Sequence, residues 1–323
     1  MGAGSSRRRF LGISAAAAGF ALLPLGGLAR AVPQGVRWHG RALGAPAELI
    51  LHHPDRVEAE RLIRRIVVEI DRLERIFSLH IAESALNRLN AQGALADPPP
   101  ELVAVLEESR AAWRMSGGLF DPTVQPLWTL YTRHFTTPDA DPAGPPPREI
   151  GAALQRVGLD RVAFDENRIA FRAPGMALTL NGIAQGYITD RAIALLRAGG
   201  VGHTLADLGE IRALGLRGDG TPWRVGIAGT GQEVDLADRA IATSGTDGFR
   251  FAGPGSPCHL LDPRNGASAE RYRSVSVVAP SAATADALST AFSFLSEADI
   301  AAALPPGVEA YLQDRAGACR HIG

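Results

Sequence analysis

From Pro54 to Phe77, apolar residues fall at Val57, Leu62, Ile66, Ile70, Leu73, Ile76 and Phe77, a helical period with Asp55 near its start. A helix this long with one apolar face must bury that face, and the neighbouring segments say against what. "AELILHHP" before it reads as a strand, "SALNRLNAQG" after it as a short helix ended by Asn90 to Gly93, and "PPPELVAVLEESRAAWRMSGG" as a helix with Pro at its entry and Gly117-Gly118 at its exit. Residues 136–148 form a Pro-rich surface loop with helical pattern on both sides, and residues 161–180 alternate like paired strands. Tyr187 to Ala198 is a helix stopped by Gly199-Gly200, strands dominate to Ala279, and "PSAATADALSTAFSFLS" opens a helix before a last strand near "VEAYLQ". Strands and helices mix without a regular βαβ rhythm, which predicts one α+β domain over residues 32–323 rather than a doubly wound sheet.

Residues 1–31 stand apart. Ser6-Arg7-Arg8-Arg9-Phe10-Leu11 is a twin-arginine signature, followed by a mild apolar run from Ile13 to Leu28 and a small-x-small site at Ala29-Arg30-Ala31. The run is short and rich in Gly and Ala, which favours a removed leader over a membrane anchor and predicts a periplasmic protein exported by the Tat route. Removing that leader deletes four Arg and no acid, moving the formal charge from -1 to -5. A mildly acidic chain is poorly suited to nucleic acid.

All 33 basic residues are Arg. The lack of Lys excludes Schiff-base chemistry, a Ser-Lys dyad and a Walker-type phosphate lysine, so any bound phosphate must be held by Arg, backbone N–H groups or a metal. Two cysteines, Cys258 and Cys319, are too few for a disulfide scaffold, and their spacing leaves a single bridge undecided.

Four stretches carry chemistry. In "SAATADALSTAF", Ser281 is an N-cap, and Asp286 and Thr290 share one helical face, two hard oxygens suited to Mg²⁺ or Ca²⁺. The bland alternative is a carboxylate favouring the helix start and a Thr bonded to its own i−4 carbonyl. "ATSG", 242–245, sets two hydroxyls before a Gly, a pattern for backbone N–H groups turned to an anion. "CHLLDPRNG" supplies His259, a general base near neutral pH, and Arg264, a phosphate holder, although Asp262 to Gly266 is equally a plain hairpin turn. "SGGLFDPT" offers Asp121 as an acceptor for an amino group or as the cap of its own turn.

Taken in order, Phe77-Ser78, "SALNRLN", "SGGLFDPT", "NGIAQGY", "ATSG", "HLLDPRNG" and "APSAATADALSTA" resemble the ApbE family of flavin transferases across nearly all of the chain beyond the leader. The resemblance implies an ApbE-like domain with FAD in a central cleft, which cleaves FAD at its pyrophosphate and joins FMN to a Thr hydroxyl of a target protein with Mg²⁺. It implies Asp286, Thr290 and the backbone carbonyl of Gly182 as metal ligands, His259 as the base on the Thr hydroxyl, Asp121 at the adenine end and Phe77 in the flavin region. Ser244 and Arg264 face the phosphates on chemical grounds, and Gly186 lets the chain pass close to the nucleotide. Where the family text has Asp, Gly and Lys, this chain has Thr179, Asn181 and Gln185, so Gln185 meets FAD without a charge. "LTLNGIAQGYITDR", with its first half a buried strand, together with the Tat signal resembles the NosX subgroup of nitrous oxide respiration, whose implied acceptor is the periplasmic flavin domain of NosR. Competing readings are an FAD pyrophosphatase releasing FMN and AMP, a non-catalytic FAD-binding protein, and a copper chaperone. The last is poorly served, because only Met115 and Met176 remain after the leader.

Overall fold

A computed structural model describes residues 20–21 and 36–323. The twin-arginine signature and the cleavage site of the expected leader lie outside the described residues. In chain order the elements are β1 (Phe20–Ala21), β2 (Val36–Ala42), β3 (Ala45–Leu51), α1 (Arg56–Phe77), α2 (Ala85–Gln92), β4 (Ala94–Ala96), α3 (Pro100–Met115), α4 (Gln125–Phe135) and α5 (Pro147–Leu154). Then come β5 (Val162–Phe164), β6 (Arg168–Phe171), α6 (Ala184–Ala198), β7 (Thr204–Asp207), β8 (Ile211–Leu214), β9 (Trp223–Ile227), β10 (Gln232–Leu236) and β11 (Ala240–Gly245). β12 (Ser274–Ala279), α7 (Ala282–Phe292), α8 (Glu297–Ala303), β13 (Glu309–Gln313) and β14 (Cys319–Ile322) complete the chain.

The frame is an eight-stranded sheet of order β14-β13-β12-β11-β8-β7-β3-β2, antiparallel throughout. One face carries the main core with α1, α3, α6 and α7, and the other is covered by β9 and β10, whose Trp223, Val225 and Leu236 pack on Ile211, Ile241 and Val278. This is the expected α+β domain. Among the described residues no helix is long and apolar enough to cross a membrane.

α1 forms as its period predicts: Asp55 accepts from the N–H groups of Val57 and Glu58, and Leu62, Ile66, Ile70 and Leu73 are buried. α7 is the innermost helix. Ser281 caps it by accepting from Thr284 N–H, and its alanines let it lie between α6 and the β11–β12 pair. Asp190 on α6 accepts from the N–H groups of Ala282 and Ala283 at 2.9 and 3.0 Å, which fixes the two helices end to side.

Two readings around residue 180 need correction. Leu178 to Leu180 is no strand: the Asn90 side chain takes the place of a neighbouring strand, donating to Leu178 O at 2.8 Å and accepting from Leu178 N–H at 2.7 Å. α6 starts at Ala184, three residues before the predicted Tyr187, so Gln185 and Gly186 lie in its first turn. Sequence periodicity also passed over α8 and the short strands β4 and β14. Cys258 and Cys319 are both free thiols.

Candidate functional site

The first turn of α6 has no capping side chain of its own at Ile183. A carboxylate from α7 takes that role: Gly186 N–H donates to Asp286 Oδ2 at 3.3 Å. Gly186 is required for this approach, because a Cβ there would lie 2.3 Å from the Ala282 carbonyl oxygen. Gly186, expected to let the chain pass close to a nucleotide, makes room in the structure for α6 to pack against α7.

Beside this corner lies a cavity of about 310 Å³ that receives Asp121, Gly182, Gln185, Ser244, His259, Asp286 and Thr290. Seven of the nine residues singled out in the sequence thus converge, although they come from five separate stretches of chain. Thr290 lies one helical turn beyond Asp286, and a Cβ on Gly182 would sit 3.0 Å from Thr290 Oγ1, so the Gly182 backbone runs alongside that hydroxyl. Ser244 Oγ is 2.8 Å from Ser289 Oγ and 3.2 Å from Thr290 Oγ1, so the Thr290 hydroxyl meets β11 rather than its own i−4 carbonyl.

Asp286 is buried, and burial is the main cause raising its pKa, with repulsion from Asp190 adding and the Gly186 N–H opposing. Among the described residues no Arg or His pairs with it. A buried carboxylate without a cation and a hydroxyl one turn on, with the Gly182 backbone alongside, bring hard oxygen donors to one corner. This set is too small to cage a metal alone, but it suits Mg²⁺, which is commonly held by one or two carboxylates while keeping waters and substrate phosphates.

His259 enters the same cleft directly after a single bridge between Arg250 and Cys258. Its Nδ1 lies 3.2 Å from Phe249 O. A carbonyl only accepts, so this bond places the proton on Nδ1 and leaves the Nε2 lone pair free. Burial lowers the His259 pKa, partly opposed by that carbonyl, which keeps the ring neutral near pH 7.

Asp121 lines the cavity, yet its oxygens are occupied: Oδ1 accepts from Thr123 N–H and Oγ1 at 2.8 and 2.5 Å, and Oδ2 from Leu159 N–H at 3.0 Å. It holds the bend from which Phe120 and Pro122 reach the cleft. Gln185 differs. It is 3% exposed, and neither amide atom has a hydrogen-bond partner. Gly209 makes room for it, since a Cβ there would lie 2.4 Å from Gln185 Nε2.

Two predicted residues are elsewhere. Phe77 ends α1 with its ring buried edge-on to Tyr187 at 5.5 Å, because the apolar face of α1 carries it into the core. Arg264 is held by Asp262 two residues earlier, at 3.0 Å from Nε and 2.7 Å from NH2, so the turn itself takes its charge. Among the lining residues that sequence reasoning passed over, three carry chemistry or a flat apolar wall. Trp128 and Phe249 stack at 6.2 Å on one wall, and Glu210 projects from the β7–β8 turn. The signal for Glu210 was present in "ADLGEIR", two acids flanking a glycine between buried strands.

The fold and cleft define a mixed α+β domain with a hard-oxygen corner facing a neutral imidazole. The sequence model of the ApbE family matches residues 43–312, and the chain belongs to that family. It is 32% identical over 292 residues to an FAD:protein FMN transferase of Treponema pallidum (strain Nichols), covering 78% of this chain and 77% of the relative. An FAD:protein FMN transferase of Vibrio cholerae is 30% identical over 258 residues, 72% of this chain and 74% of its own. In three dimensions the chain is similar to the apo form of Pseudomonas stutzeri flavinyl transferase ApbE, with TM-score 0.78 and 26% identity over 89% of this chain and 94% of that one. The ApbE protein of Thermotoga maritima gives TM-score 0.79 at 26% identity, over 89% and 96% of the two chains.

Proposed function

We propose that this chain is an FAD:protein FMN transferase that uses Mg²⁺ to join FMN through a phosphoester to a Thr hydroxyl of an acceptor protein. The observation that carries the reading is the meeting of Asp286, Thr290 and Gly182 with the free Nε2 of His259 across one cleft. The acceptor hydroxyl gives its proton to His259 Nε2 as its oxygen bonds to the FMN-side phosphorus, and the bond from that phosphorus to the AMP oxygen breaks. AMP leaves. Asp286, Thr290 and the Gly182 carbonyl would hold Mg²⁺, which supplies charge neutralisation on the diphosphate in a chain without Lys. General-base help from His259 is worth roughly 10²–10⁴-fold.

The finer reading follows the sequence. The twin-arginine signature within residues 1–31 supports export through the Tat route to the periplasm, and "LTLNGIAQGYITDR" supports a NosX-like member, whose acceptor would be the flavin domain of a NosR-like membrane protein. Incubating the protein with FAD, Mg²⁺ and a Thr-bearing acceptor domain tests this. The reading requires a fluorescent flavin band on the acceptor together with AMP. FMN and AMP without a labelled band mark a pyrophosphatase instead, and unchanged FAD marks a binding protein.

A further inference from the structure

Glu210 is 5% exposed, lines the same cleft as Asp286, and its Oε2 has no hydrogen-bond partner. Thr243 N–H donates to the carboxylate, and no Arg or His pairs with it among the described residues. Asp286 and Asp207 are the charges nearest to it in effect, and both oppose its ionisation. A buried carboxylate facing two acids, in a chain that places no cation beside it, is an incomplete arrangement. Beside it stands the second independent sign of an absent group, the buried Gln185 amide with Oε1 and Nε2 both unpartnered. Gly209, at φ +106°, immediately precedes Glu210 and makes room for that amide, since a Cβ there would lie 2.4 Å from Gln185 Nε2, and both residues line the same cleft.

The two residues present two orphan acceptors, Glu210 Oε2 and Gln185 Oε1. A metal-bound water gives its lone pair to the metal and keeps two hydrogens to donate, so it fits such a corner, and Mg²⁺ retains several waters. We propose that Glu210, with Gln185, is a positioning residue for the divalent cation held at Asp286, acting through the water that the cation keeps. Glu210 also contributes the second negative charge of the site. The assignment rests on the transferase reading only in placing a cation at Asp286. It adds a residue from the β7–β8 turn to a site otherwise built from α7 and the loop before α6.

Mn²⁺, an oxygen-seeking divalent ion visible by electron paramagnetic resonance, is the probe, titrated into the FAD-loaded full-length protein without acceptor. Glu210→Gln should weaken Mn²⁺ binding by about 10–100-fold, the range for loss of an outer-shell partner, while Glu210→Asp recovers most of the affinity. Asp286→Ala should remove the site. If Asp286→Ala loses Mn²⁺ and Glu210→Gln binds it like wild type, this inference fails while the transferase reading stands. Unchanged binding in Asp286→Ala overturns both. Equal losses in Glu210→Gln and Glu210→Asp, each with a lowered melting temperature, would make Glu210 a structural group and overturn the assignment.

Discussion

The backbone N–H of Gly186 donates to Oδ2 of Asp286, 100 residues away in sequence, so the first turn of α6 and the inner helix α7 are joined at the residue expected to hold the metal. The carboxylate at once caps one helix and lines the cleft. Asp286→Asn keeps an oxygen for Gly186 but removes the buried charge. The metal-free variant should therefore melt at or above the wild-type temperature at pH 8, whereas Mg²⁺ with FAD should raise the wild-type melting temperature and leave the variant unmoved. A scanning-fluorimetry series with and without Mg²⁺ checks both halves.

His259→Asn should keep FAD bound and slow transfer by about two to four powers of ten. Burial lowers the His259 pKa from the usual 6.5, so the base is already neutral at that pH and above. The wild-type rate should stay level from pH 7 to 8 and fall only on the acid side, as the ring gains its proton. A rate profile of wild type and variant decides this, and equal rates across that range would assign the proton to another group.

Glu210 gives a stability signature. Burial, then repulsion from Asp286 and Asp207, raise its pKa above the usual 4.5, so over the interval above that value the unfolded chain has lost a proton that the folded protein keeps. The folded state binds more protons there, and metal-free stability must fall as pH rises through the interval. Glu210→Gln should flatten that slope and melt higher than wild type at pH 8 in a chelator. Urea denaturation at pH 5, 6.5 and 8 reads the difference.

The loop that carries Thr179, Asn181 and Gly182 into the cleft is anchored by the paired hydrogen bonds between the Asn90 side chain and the Leu178 backbone. Asn90→Ala leaves Leu178 N–H and C=O without their partners. The loss should be about 1–3 kcal/mol, with Asn90→Asp nearly as harmful because it loses the donor. Denaturation midpoints of the two variants, with unchanged m-values, check the assignment.

Elements whose pattern is local were legible in the sequence. The face of α1 and its Asp55 cap, the Ser281 start of α7, and the Asp286–Thr290 pair all follow from spacing of three or four residues. Where a long-range partner decides, the sequence was silent or misled. Leu178 to Leu180 has a strand's composition, but Asn90 satisfies its backbone. α6 begins early because Asp286 caps it from another helix. Arg264 has the chemistry of a phosphate holder, but its guanidinium is held by Asp262 within its own turn. Glu210 becomes visible only when its missing partners are counted.

The most direct test is the intact mass of a Thr-bearing acceptor domain after incubation with FAD, Mg²⁺ and either wild-type protein or Asp286→Ala. Wild type should add one FMN to the acceptor, with the adduct mapping to the Thr hydroxyl and AMP released in equal amount, and Asp286→Ala should leave the acceptor unmodified while circular dichroism shows it folded. An acceptor left unmodified by wild type while FMN and AMP accumulate, or modified equally by Asp286→Ala, would contradict the account.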